Sequence, residues 1–143
     1  MADVDYTGSD VGSCIPYDGL GKFYVLTNRL DFSATNAVAS TVVEALDIPA
    51  GTHVLNVFVK VITPEGGTST ATVGDDDSAA AWDAETNLNA SAGTVTCGTG
   101  GTDNYVTYGG KFYSAADTID LTLSANAVDT AVIDVTALCI KVF

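Results

Sequence analysis

The chain has 143 residues, of which 18 are acidic and 5 basic, for a formal charge of −13. Yet 47% of it is apolar and its mean hydropathy is +0.28. That length predicts one domain with a core large enough to need no disulfide or metal staple, and the charge excludes nucleic acid and anionic membranes, whose phosphates are recognised by Lys and Arg.

The chain opens on Met1-Ala2-Asp3-Val4-Asp5, acidic where a secretory signal is positive, and no apolar h-region follows. Synthesis in a cytosol is therefore expected. No run of about 18 apolar residues reads as a membrane span. Residues 1–22 are polar, glycine-bearing and without period, and they read as an N-terminal arm. Such a segment either frays or orders along a neighbouring subunit, with Tyr6, Ile15 and Tyr17 as its anchors. Residues 23–143 read as the single folded domain.

From Lys22 onward strand signals dominate. Tyr24, Leu26, Leu30 and Phe32 share one parity in residues 23–33. Residues 40–48 form a second run, stopped by Pro49-Ala50-Gly51. Residues 53–63 carry the strongest signal, with Leu55, Val57, Val59 and Val61 on the inward face. The opposite face, with Val54, Phe58 and Ile62, is too apolar for simple exposure, so a second layer or a partner should cover it. Pro64-Glu65-Gly66-Gly67 is a turn, and residues 68–73 a short strand.

Residues 74–88 contain the one stretch with helix propensity. Ser78-Ala79-Ala80-Ala81-Trp82-Asp83-Ala84-Glu85, with Asp77 or Ser78 as N-cap, predicts one to three turns. Residues 94–97, 104–108 and 111–113 read as short strand pieces. Residues 118–124 alternate, with Ile119, Leu121 and Leu123 inward and Thr118, Asp120 and Thr122 toward water. After a turn at Asn126-Ala127-Val128-Asp129, residues 131–143 form a long, central apolar strand. Its apolar parity changes near Ala137, which implies a bulge or burial on both faces. The whole predicts an all-β, antiparallel β-sandwich, of jelly-roll type, with at most one short helix.

No catalytic set emerges. His53 is the single histidine, and no G-x-S-x-G elbow accompanies it, so a structural role is expected. Cys14, Cys97 and Cys139 lack metal-ligand spacing; cytosolic synthesis favours free thiols over a Cys14–Cys97 bridge, and Cys139 should act as a small core hydrophobe. Asp75, Asp76 and Asp77 are the candidate cation site, against a reading as a solvated acidic turn. Tyr105, Tyr108, Phe112 and Tyr113 are either a sugar-stacking platform or packing. No cofactor is expected.

Leu46-Asp47-Ile48-Pro49-Ala50-Gly51-Thr52, then Thr72-Val73-Gly74-Asp75, then Tyr113-Ser114-Ala115-Ala116-Asp117-Thr118-Ile119 with a closing hydrophobic strand resemble small virion proteins of tailed bacteriophages. The resemblance spans residues 45–143 and implies a capsid decoration, or cement, protein. Such a protein is made in the bacterial host cytoplasm and binds the exterior of the virion, between subunits of the major capsid protein. It works without enzymatic activity, as a homodimer or homotrimer. The rival expectation is a carbohydrate- or receptor-binding sandwich of the tail-knob type, presenting Trp82, Tyr105 and Tyr108 on an exposed face.

Overall fold

The computed structural model describes residues 21–98 and 104–143. The arm residues Tyr6, Ile15 and Tyr17, and Cys14, lie outside the described residues. Among the described residues nine strands follow in order: β1 (Phe23–Asp31), β2 (Val42–Ile48), β3 (Thr52–Thr63), β4 (Thr70–Gly74), β5 (Asp83–Asn87), β6 (Val95–Cys97), β7 (Lys111–Tyr113), β8 (Asp117–Leu123) and β9 (Val132–Lys141). They form two antiparallel sheets. The first runs β1-β9-β3-β6, with β7 on the same edge of β3 as β6; the second runs β2-β8-β4-β5. β7 pairs with Thr52–Val54 and β6 with Phe58–Lys60, so two short strands share one side of a long one.

The core lies between the sheets. Val57, Val59 and Val61 of β3 and Ile133, Val135 and Ala137 of β9 meet Ile48 of β2, Val73 of β4 and Ile119 and Leu121 of β8. Every second residue supplies it, as a sheet with one covered face requires. β9 alternates without a break: Ile133, Val135, Ala137 and Cys139 are fully buried and their neighbours half-buried. The expected parity change near Ala137 is therefore absent. Leu138 and Ile140, which suggested it, belong to the outer face. The predicted centrality of β9 holds, since β1 and β3 flank it.

The irregularity sits in the partner strand. The β3–β9 register shifts between Val54 and Asn56, so Leu55 has no counterpart on β9. The bulge sends Val54 inward and leaves Leu55 half-buried, which corrects the expectation that Leu55 begins the core face. Asn56 Oδ1 accepts the Val57 amide at 2.8 Å and steadies the extra residue.

Residues 74–88 are not helical. Gly74 lets the chain fold back on itself, because a Cβ there would strike the backbone of Ser78 and Ala79. The Asp75 carboxylate then accepts the amides of Asp77 and Ser78, both at 3.1 Å, and the Trp82 amide returns to Val73 O at 2.9 Å. Pairing of β5 with β4 and complete burial of Trp82 outweigh the propensity of a few alanines. Residues 104–108 are turns rather than a strand.

Glu65, in the predicted Pro64-Glu65-Gly66-Gly67 turn, is buried. Its carboxylate accepts the amides of Asp129, Thr130 and Ala131 at 3.2, 2.9 and 2.7 Å and so anchors the turn that launches β9.

Candidate functional site

Two features of the molecule invite a functional reading: a polar knot between the sheets, and the outer face of the first sheet. The knot is built on Asp75, whose side chain is fully buried. Lys111 Nζ donates to Asp75 Oδ2 at 2.8 Å and to Asp77 Oδ2 at 2.7 Å. Tyr113 OH donates to Asp75 Oδ2 at 2.6 Å, and Trp82 Nε1 donates to Tyr113 OH at 3.3 Å. Tyr105 OH reaches Asp75 Oδ1 at 3.3 Å and stacks edge-on against Trp82 at 5.2 Å. The ammonium also lies 5.0 and 4.8 Å from the ring centres of Tyr105 and Tyr113.

The electrostatics follow from these contacts. Burial opposes the charge of Asp75, but bonds from Lys111 and Tyr113 prevail and hold its carboxyl below the ordinary carboxylate range. Burial likewise opposes the charge of Lys111, and Asp75 and Asp77 overcome it and raise the ammonium's pKa. Burial, then the Asp75 carboxylate, pushes the Tyr113 phenol up. The knot holds its protons firmly and ties the β4–β5 connection to β7 of the other sheet. It is a fastening.

The predicted site residues thus part company. Asp75 and Asp77 converge on an ammonium; Asp76 is exposed and stands apart from it. Among the described residues no group of three or more His, Cys, Asp or Glu side chains assembles as metal ligands. Of the aromatic set, Tyr113 is buried and Tyr105 half-buried in the knot, while Tyr108 and Phe112 are exposed. Trp82 is completely buried, which overturns its place on an exposed sugar-binding face. His53 Nε2 donates to Gly109 O at 2.9 Å, so a backbone carbonyl orients the ring where a catalytic histidine would have an acid. Cys139 is a buried free thiol whose pKa burial pushes up to about 11; Cys97 is free and exposed. Asp120, expected toward water, is buried beside Thr118 Oγ1 at 2.8 Å, and burial, reinforced by Asp76, Glu44 and Asp117, raises its pKa.

Sequence reasoning missed Lys111, the centre of the knot. Its signal was compositional: one of only five cations, placed between aromatics.

The outer face of the first sheet has a different character. The register sets Phe23, Ile140, His53 and Phe112 side by side across β1, β9, β3 and β7. Phe143 packs edge-on against Phe112 at 5.7 Å. Val25 and Leu138 form the next row. Charge is divided between the sheets. Lys22, Arg29, Lys60, Lys111 and Lys141, all the cations of the chain, lie on or beside strands of the first sheet. The strands of the second sheet carry Glu44, Asp47, Asp83, Glu85, Asp117 and Asp120 and no Lys or Arg. A largely apolar face, on the sheet that carries every cation of the chain, therefore stands opposite an acidic one.

No protein-family model and no curated protein sequence matches the chain. Solved structures do. A chain in the capsid of Ralstonia phage GP4 superposes with a TM-score of 0.65 at 12% identity, over 96% of this chain and 95% of that one. A chain in the cyanophage Pam1 capsid asymmetric unit gives 0.61 at 18% identity, over 96% and 99%. A chain in the acid-stable capsid of Helicobacter pylori bacteriophage KHP30 gives 0.59 at 12% identity, over 85% and 89%. At these identities the likeness is one of fold: the chain shares, over nearly its full length, the two-sheet architecture of chains found in three bacteriophage capsids.

Proposed function

We propose that this chain is a non-enzymatic structural protein of a bacteriophage virion. It decorates the capsid exterior and cements neighbouring major capsid subunits. The observation that carries the reading is the near end-to-end likeness to chains of three phage capsids. Supporting it, the polar knot is a closed fastening, and an apolar face on the sheet that carries all five cations is available for contact on a chain of −13. We also read the strand order, β1-β9-β3 continued by β6 and β7 over β2-β8-β4-β5, as that of a jelly roll, because successive strands repeatedly change sheets as two Greek keys do.

Such a protein acts through area and repetition. A rigid sandwich straddling two subunits adds buried surface that must be lost before they separate, and copies around the shell multiply the effect. The arm, residues 1–22, would extend the contact by ordering along a neighbour, at an entropic cost.

The test uses particles of the encoding virus assembled without this chain. They should release DNA at a lower temperature than complete particles, and the purified chain should bind them and restore the difference. A chain lacking residues 1–20 should fold but occupy the shell less fully. Particles of equal thermal stability with no binding of the added chain would overturn the reading.

A further inference from the structure

The described chain begins at the border of the apolar face. The Gly21 amide donates to Lys141 O at 2.6 Å and the Lys141 amide to Lys22 O at 3.1 Å, so the pairing of β1 with β9 runs on past Phe23. Phe23 opens the row that Ile140, His53 and Phe112 continue, with Phe143 against Phe112 and with Val25 and Leu138 in the row behind. Phe23, Val25 and Phe143 are 63, 57 and 62% exposed. Residues 1–20 are therefore attached directly beside this row.

We infer that these residues are its occupant: until the protein meets a shell, its own arm lies across the outer face of its first sheet. Reach permits it. The row crosses four strands at a spacing of about 4.8 Å, roughly 14 Å in all, which four or five extended residues span. Leu20, Tyr17 and Ile15 can thus all be laid on it, with Tyr6 and Val4 still in hand.

Charge selects the same occupant. Residues 1–20 carry Asp3, Asp5, Asp10 and Asp18 and no Lys or Arg. Lys22 and Lys141 stand one residue beyond Phe23 and Ile140. The acidic residues on strands of the first sheet, Asp31 and Asp134, lie at its far end, about 20 Å away at the rise of a strand. The carboxylate that ends the chain at Phe143 offsets one of the two lysines and leaves this end of the sheet positive. The second sheet, whose strands hold acidic residues and no cation, repels the same arm. Attachment at Gly21 adds the rest: a tethered segment meets its own face at about millimolar effective concentration, so contacts too weak to hold a free peptide suffice. A neighbour competes for the arm only where a lattice holds it close. On the capsid reading, which this last step alone rests on, the arm leaves its own face for the neighbour's when the shell is bound, and the uncovered row joins the contact.

The experiment places a nitroxide on Cys14 of the full chain carrying Cys97→Ser; Cys139 is buried and takes no label. Amide spectra of the isotope-labelled protein then report what the arm approaches. Amides of Ile140, His53 and Phe112 should broaden at least threefold more than those of Ile48 and Asp117, which pair at the same end of the second sheet. Tyr17→Asp in the arm and Phe112→Asp on the face should each at least halve that broadening, and Lys141→Glu should lower it too. Near-ultraviolet circular dichroism checks that the Phe112 and Lys141 variants are folded. Broadening that fades with distance from Gly21 equally on both sheets, or a pattern indifferent to both aspartate substitutions, would overturn the inference. So would broadening of isotope-labelled chains without nitroxide when mixed with nitroxide-bearing chains without isotope, since the arm would then lie on a second copy. No shell is present, so each of these outcomes leaves the capsid reading standing, whereas particles indifferent to the chain would remove that reading and leave the docked arm.

Discussion

Lys111 shows how one side chain can decide the meaning of others. Its ammonium sits where a bound cation would, 2.8 Å from Asp75 and 2.7 Å from Asp77. Truncating it leaves a buried carboxylate without its counter-charge, and such losses cost about 3–5 kcal/mol. Urea unfolding of Lys111→Met should show a loss of that size, and the double variant Asp75→Asn/Lys111→Met should recover part of it. Equal stability of Lys111→Met and the native chain would mean that the knot contributes nothing. Asp75 and Asp120 pull in opposite directions with pH. The pKa of Asp75 is lowered on folding, so its contribution is present above about pH 4 and is lost as pH falls through the folded value. The pKa of Asp120 is raised, so folding favours its protonated form, and stability is lost as pH rises from about 4 through the folded value. Glu44 lies directly across from Asp120 on β2, and like charges so placed are unfavourable by up to about 1 kcal/mol. Asp120→Asn should therefore stabilise the protein by about that much at pH 7, and the gain should vanish below pH 4 in denaturation curves. The acidic cluster was legible in the sequence, but its partner was not, because Lys111 lies 36 residues from Asp75 and only the fold brings them together.

Among the elements, β8 came through the sequence most clearly, with Ile119, Leu121 and Leu123 inward as expected, while β9 was legible as a long central strand but not in its unbroken alternation, which the apolar outer residues Leu138 and Ile140 disguised. Residues 74–88 came through least. Their alanines favour a helix locally, but Gly74 and the Asp75 carboxylate close a turn, and the pairing of β5 decides the rest. The β3 bulge was equally hidden, since an inserted residue is defined by the strand it faces. Position within a sheet should also set local stability. Among the described residues, β9 has hydrogen-bonded neighbours on both sides and β3 is paired on both sides along parts of its length, whereas β1 is an edge strand and β6 has three residues on one partner. Hydrogen exchange by mass spectrometry should find amides of β9 exchanging only on global unfolding, while β6 and the turn at residues 104–110 exchange at least tenfold faster. Slower exchange in β6 than in β9 would contradict this hierarchy.

At the scale of the whole molecule, the sandwich followed from apolar parity, whereas the distribution of charge emerged only once strands were assigned to sheets. A total of −13 says that the chain repels copies of itself; the division between sheets says where the repulsion is concentrated. That concentration also acts within one molecule. On the second sheet Glu44 faces Asp120 and Asp47 lies one residue from Asp117's partner Ile48, with no cation on any of its strands to offset them. Arg29 with Asp134 and Lys111 with Asp75 and Asp77 are attractive pairs, but the Asp134 and Asp77 pairs are exposed and worth little, and the Asp75 pair is too buried for salt to reach. Raising salt should therefore relieve more repulsion than it weakens attraction. Tm should rise by about 3–5 °C between 10 and 150 mM NaCl at pH 7, corresponding to about 1 kcal/mol. At pH 4, with many carboxylates protonated, the same salt step should have far less effect. A Tm that falls with salt at pH 7 would mean that attractive pairs, not the acidic sheet, govern the electrostatics of this fold.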